Sequence, residues 1–153
     1  GCTSHIVNDR ALFITYEKAI NRTCTNANAS QSTVEGIGTV AVCCFDTKGV
    51  SFTITFENTF FMPTYPCNLL SVSALRRKGV SFTFGSDNLM ILPDERKLCV
   101  QEIDRLYILP FEYPREDSLS VQADTVTWHK RLGHNNYTDV RRLLELLESA
   151  RIC

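Results

Sequence analysis

Apolar and polar residues alternate over much of the first hundred positions, with the two-residue period of a β-strand. The clearest run is Val50-Ser51-Phe52-Thr53-Ile54-Thr55-Phe56-Glu57. Val50, Phe52, Ile54 and Phe56 fall on one face, and Ser51, Thr53, Thr55 and Glu57 on the other. That pattern predicts a half-buried antiparallel strand. Burying each of the four apolar side chains is worth roughly 1.5–3 kcal/mol, and a one-residue slip would expose them all. Residues 40–45 read as the preceding strand and Asp46-Thr47-Lys48-Gly49 as the turn between the two.

The remaining elements are predicted by the same period and its interruptions. Residues 11–20 fit either a strand or a short helix, because Phe13, Tyr16 and Ile20 share a helical face. Residues 21–33 are rich in Asn, Thr, Ser and Ala and predict a surface loop. In residues 34–40, Gly36 and Gly38 stand in a β-prone context, which predicts a strand with a bulge or a close backbone approach. Residues 58–66 predict another strand, ending in prolines. Residues 68–79 predict a short helix, with Ser71 as the N-cap, a basic last turn and Gly79 as the stop. Strands are predicted at 80–84, 89–92, 98–103 and 105–109. Beyond them the prolines and acids of residues 110–125 predict an extended linker. Then the period changes to a helical one, with Val140, Leu143, Leu144 and Leu147 on one face and Arg141, Arg142, Glu145 and Glu148 on the other.

Composition narrows this picture only a little. With 44% hydrophobic and 22% charged residues the chain is globular rather than disordered. Sixteen basic and seventeen acidic side chains give a formal charge of -1, so nothing demands a nucleic-acid partner. The basic clusters Arg76, Arg77 and Lys78, and Lys130, Arg131, Arg141 and Arg142, read as solvated faces, with nucleic-acid contact as the alternative. No run of apolar residues is long enough for a membrane helix, and no membrane partner is expected. The seven cysteines are odd in number, with no Cys-x-x-Cys pair, and read as reduced thiols of an intracellular protein. The chain starts at Gly1 rather than Met and reads as a piece of a longer polypeptide.

Candidate chemistry is sparse. There is no P-loop, no Ser-His-Asp arrangement at usable spacing and no carboxylate pair with a catalytic signature. His129 and His134 stand five residues apart with Gly133 between them. On a continuous helix that spacing places them roughly 140° apart, so they converge on one metal only if the chain turns. Such a pair is half of a tetrahedral zinc site. The spacing alone fits two ordinary surface or packing histidines equally well.

Three stretches in this order resemble the Pol polyprotein of copia-type LTR retrotransposons. Gly1-Cys2-Thr3-Ser4-His5-Ile6 is similar to the segment after the catalytic Asp-Ser in the family's Asp-Ser-Gly motif. Asn68-Leu69-Leu70-Ser71-Val72-Ser73-Ala74-Leu75 is close to a family hallmark. Trp128-His129-Lys130-Arg131-Leu132-Gly133-His134-Asn135 looks like the start of the histidine-cysteine zinc motif before the integrase core.

The resemblance implies a mainly β protein. A retropepsin-like β-barrel with one short helix spans residues 1–85. A GAG-pre-integrase domain spans 87–153, with a small β-hairpin region and a C-terminal α-helix. Proteases of this kind are homodimers in which each subunit supplies one Asp, and the two carboxylates share a proton across the attacking water. That Asp falls two residues before Gly1, so no catalytic residue is expected in this chain. Gly1 itself only shapes the loop. Zinc is the implied cofactor, in a site that is incomplete here: His129 and His134 are ligands, and Cys153 is a candidate for the first of two cysteines. The parent role is aspartic-type polyprotein proteolysis and DNA integration, with nucleic acid contacted through a downstream integrase region. The alternative is a domesticated or decayed element acting as a non-catalytic binding or scaffold module.

Overall fold

The computed structural model describes residues 2–26, 29–114 and 149–152. Gly1, His129, His134, Cys153 and the helix expected near 140–147 lie outside them. Where described, the chain is mainly β, as the alternation predicts. In chain order it forms β1 (Ile6–Val7), a 3-10 turn (Arg10–Leu12), β2 (Phe13–Thr25), β3 (Gln31–Phe45) and β4 (Ser51–Phe61). Then come β5 (Asn68–Leu70), α1 (Val72–Arg77), β6 (Ser81–Thr83), β7 (Leu89–Ile91) and β8 (Lys97–Cys99). Last are β9 (Gln101–Ile103), β10 (Leu106–Pro110) and β11 (Ser149–Ile152).

Two sheets result. One has eight strands in the order β2-β3-β4-β1-β5-β11-β10-β9, and the other three in the order β6-β7-β8. The long β2-β3-β4 meander is antiparallel throughout. The two residues of β1 are inserted between β4, to which they run parallel, and β5, to which they run antiparallel. Because successive residues of a strand face opposite ways, Ile6 and Val7 enter different cores. Ile6 packs with Val34, Phe60 and Met62. Val7 joins the larger cluster with Leu12, Val40, Phe56, Leu70, Leu75, Met90 and Leu109.

Asn68–Leu70, read with the helix from sequence, form β5 instead, and the helix after Ser71 is terminated as its sequence specifies. Ser71 Oγ accepts the Ala74 N–H at 3.2 Å, the expected N-cap bond. At the other end Gly79 takes φ +82°. Its N–H donates to the Arg76 carbonyl, and the Val80 N–H donates to Leu75. That pair of bonds is a Schellman closure, with Leu75 and Val80 both buried beneath it.

Two glycines of β3 bear out the close approach predicted for them. A Cβ on Gly36 would lie 2.2 Å from the Tyr16 ring, and one on Gly38 would lie 2.0 Å from the Thr15 carbonyl oxygen.

Other expectations are corrected. Of the two readings left open for residues 11–20 the strand holds, since β2 begins at Phe13 directly after the 3-10 turn. Residues 21–33 are not one loop: β2 runs to Thr25 and β3 begins at Gln31. These polar strand ends are held by cross-strand pairing rather than by burial, so the alternation of apolar residues does not mark them. Residues 58–66 are not a separate strand, because β4 passes through Asn58 to Phe61. Asn58 sits at φ +53° and the register with β3 shifts there, which resets the inward face. The strand expected at 98–103 breaks at Val100, whose N–H donates to the Asn88 carbonyl at 2.8 Å. The expected linker is anchored at its start, where Phe111 is buried and Glu112 pairs with Cys43. The reading of every cysteine as a reduced thiol fails at Cys2, which is disulfide-bonded. Cys24, Cys44, Cys67 and Cys99 are free thiols.

Candidate functional site: a buried polar junction around the first strand

Buried polar side chains are expensive unless they are hydrogen-bonded. In the described residues His5, Thr59, Asn68 and Ser71 are buried, and all four surround β1. This junction is where the structure concentrates its polar specificity.

Ser71 is its hub. It is fully buried, caps α1 and donates its hydroxyl to the Cys2 carbonyl at 2.7 Å. Its backbone N–H donates to His5 Nδ1 at 3.2 Å. An imidazole nitrogen that accepts carries no proton, which leaves the ring hydrogen on Nε2. His5 is 4% exposed and its ring lies 5.3 Å from that of Phe56. Burial pushes its pKa down from 6.5 to about 4, and the Lys78 charge pushes the same way. His5 is therefore neutral at physiological pH.

The backbone of the segment is fixed as firmly as its side chains. The Phe60 N–H donates to the His5 carbonyl at 2.9 Å, and the Met62 N–H to Val7 at 3.0 Å. Asn8 N–H donates to Asn68 Oδ1 at 3.0 Å, and the Asn8 side-chain amide donates to the Tyr65 carbonyl at 2.9 Å. Thr59 Oγ1 donates to the Phe56 carbonyl at 2.8 Å, spanning the Asn58 bulge. Residues 2–8 are thus held at Cys2, His5, Val7 and Asn8, by β4, by β5 and the loop before it, and by the N-terminal cap of α1.

Chemically the junction positions the segment that carries β1. Among the described residues no group of three His, Cys, Asp or Glu side chains gathers to hold a metal. Cys44 is a core thiol whose pKa burial, aided by Cys43, pushes up to about 12, so it is no nucleophile. The void enclosed by Val7, Leu12, Val40, Val42 and Leu70 measures about 10 Å³, too small for a ligand. Among the described residues no helix is long and apolar enough to cross a membrane. In the sequence His5 lies within a stretch that carries the resemblance, but nothing there gives it a role. Its only local sign is a polar ring set directly before Ile6 and Val7.

Residues 1–80 match the family described as Pol polyprotein, beta-barrel domain. No curated protein and no solved structure matches the chain. The family match covers more than half of the 153 residues and contains every member of the junction from His5 to Ser71. The chain belongs to the Pol polyprotein β-barrel domain family, and so to the Pol polyproteins of retroelements.

Proposed function

We propose that this chain is part of the Gag-Pol polyprotein of a copia-type LTR retrotransposon, and that its barrel is the framework of a retropepsin-like aspartic protease. The observation that carries the reading is the tie between Ser71 and Cys2. In the resembling proteases the catalytic Asp-Ser runs directly into the Gly that Gly1 matches. The Ser71 hydroxyl holds the very next carbonyl, so a carboxylate placed before Gly1 would start from a fixed anchor rather than a free end.

In this reading two copies of the barrel pair, each contributing one Asp. The two carboxylates share one proton; one acts as base and the other as acid on a water attacking the peptide. The chain's own residues supply position: His5 and Ser71 hold the strand that follows the loop, and α1 packs behind it through Leu75. The pre-integrase part, assigned to residues 87–153, supplies His129 and His134 toward a zinc site completed by cysteines farther on. DNA integration belongs to the downstream region of the parent. Cytoplasm and nucleus are the compartments this life cycle requires.

The test compares residues 1–153 with the same chain preceded by Asp-Ser. The extended chain is expected to cleave peptides at acid pH, to be blocked by pepstatin and to be active as a dimer. The chain without the extension is expected to show no such activity. Pepstatin-sensitive cleavage by residues 1–153 alone, or a dimeric extended chain with none, would overturn the reading.

A further inference from the structure

The edge of β3 opposite β4 is covered by two different parts of the chain. β2 follows it only as far as Val40, which pairs with Phe13. From Ala41 to Phe45, β3 keeps β4 on one side. On the other side Cys43 meets Glu112, in an antiparallel bridge outside the named strands. The Cys43 N–H donates to the Glu112 carbonyl at 2.8 Å, and the Glu112 N–H donates back at 2.7 Å. The flanking residues alternate as a strand would. Phe111 is buried in the main cluster, Glu112 is exposed, and Tyr113 is half-buried against that cluster. The Tyr113 hydroxyl donates to Asp9 Oδ2, while Oδ1 of the same carboxylate accepts the Ala11 N–H at 2.8 Å.

We propose that the β3 edge at residues 41–45 is a strand-addition site for an extended aromatic-acidic-aromatic segment. Phe111-Glu112-Tyr113 fills it within the chain, so the folded barrel unit runs at least to Pro114 rather than ending where the family match ends. Main-chain bonds supply the attachment, and alternate side chains entering a pocket supply the selectivity. The rest of the segment agrees. Met90, Leu98, Val100 and Leu109 share one core with Val7, Val40 and Leu75. The Thr47 N–H donates to the Lys97 carbonyl at 2.9 Å, and the Arg96 guanidinium stands 3.9 Å over the Phe52 ring. In a polyprotein matured by cutting, processing would leave residues 81–113 attached to the barrel. That consequence rests on the polyprotein reading, whereas the docking does not.

The experiment uses the full chain, the Glu112→Pro variant, which removes the N–H given to Cys43, and the Tyr113→Phe variant, which removes the Asp9 bond. Amide exchange at Cys43 is expected to be slow in the parent, faster in Tyr113→Phe and fastest in Glu112→Pro. A labelled peptide Ile-Leu-Pro-Phe-Glu-Tyr-Pro, copying residues 108–114, is expected to bind Glu112→Pro about tenfold or more tighter than the parent, whose site is filled. Limited proteolysis of the parent is expected to leave a fragment ending at or beyond Pro114. A stable fragment ending between 81 and 113, or fast exchange at Cys43 in the parent, would overturn the proposal. Equal peptide binding by parent and variant would do the same. None of these readouts depends on peptidase activity, so this proposal and the protease reading fail separately.

Discussion

His5 Nδ1 accepts the backbone hydrogen of Ser71 across 3.2 Å, so a neutral imidazole beside the first strand holds the capping residue of α1. The bond joins positions 66 residues apart and exists only while the ring is uncharged. Protonating His5 would turn an acceptor into a donor facing a donor, inside the protein.

Stability should therefore fall with acid in a window set by His5. The unfolded ring titrates near 6.5 and the folded one near 4. Between those values the unfolded chain binds a proton that the folded chain refuses. The contribution is complete above pH 6.5, is lost as pH falls toward 4 and levels off below that. Its size is about 3 kcal/mol. Asn in place of His5 offers an oxygen acceptor and does not titrate. Urea unfolding at pH 7 and pH 4.5 should show the drop in the parent and a smaller one in His5→Asn. An equal drop in both would assign the acid sensitivity elsewhere.

Ser71→Ala should cost more than an ordinary cap. It removes the oxygen that accepts Ala74 N–H and leaves the Cys2 carbonyl without its donor. The cap is worth about 1 kcal/mol and the abandoned carbonyl about 1–3 more. Ser81→Ala, at an exposed position of β6, should stay within about 0.5 kcal/mol. Chemical denaturation of the two variants separates these outcomes; a loss of only about 1 kcal/mol in Ser71→Ala would mean that Ser71 acts only as a cap, and losses equal to the control would mean that it does neither.

The two glycines of β3 should differ. An alanine at 36 meets the far edge of the Tyr16 ring, which can swing aside at the expense of its bond to the Glu35 carbonyl and its contact with Arg10. An alanine at 38 meets the Thr15 carbonyl, which is backbone and cannot move without breaking the β2-β3 register. Gly38→Ala should thus cost more than Gly36→Ala, by about 1–3 kcal/mol. Thermal unfolding that ranks them the other way would contradict this packing.

Zinc offers a test of the C-terminal assignment. With His129, His134 and at most one cysteine, residues 1–153 should bind zinc weakly, because a half-site leaves water in the open positions. A chain extended through the missing cysteines should bind orders of magnitude more tightly, and His134→Ala should abolish the gain. A zinc titration that finds equal affinity in both chains would make the two histidines ordinary surface residues.

The sequence was most legible where one face is buried and the local chemistry is unambiguous. Phe52, Ile54 and Phe56 keep the inward side of β4 as their spacing indicates, and Ser71 and Gly79 bound the helix they were expected to bound. Val50, at the turn, is 59% exposed despite belonging to the same stripe. Legibility was lost where pairing alone makes the strand. The ends of β2 and β3 bury little, so their Thr, Asn and Ser look like loop. It was lost again at Asn21 and Asn58, where left-handed residues accompany shifts in register. The junction was hidden for another reason: His5, Thr59, Asn68 and Ser71 come together only through the insertion of β1, a long-range event that no local period records.

That insertion is the claim on which the rest depends, and through-hydrogen-bond scalar couplings measure it directly. In the full chain, couplings are expected from the Phe60 amide to the His5 carbonyl and from the Met62 amide to the Val7 carbonyl, with a nitrogen–nitrogen coupling from Ser71 to His5 Nδ1. The same three amides should be among the slowest to exchange with solvent. Rapid exchange at Phe60 and Ser71, with none of the three couplings, would mean that β1 does not lie between β4 and β5 and that the junction does not form.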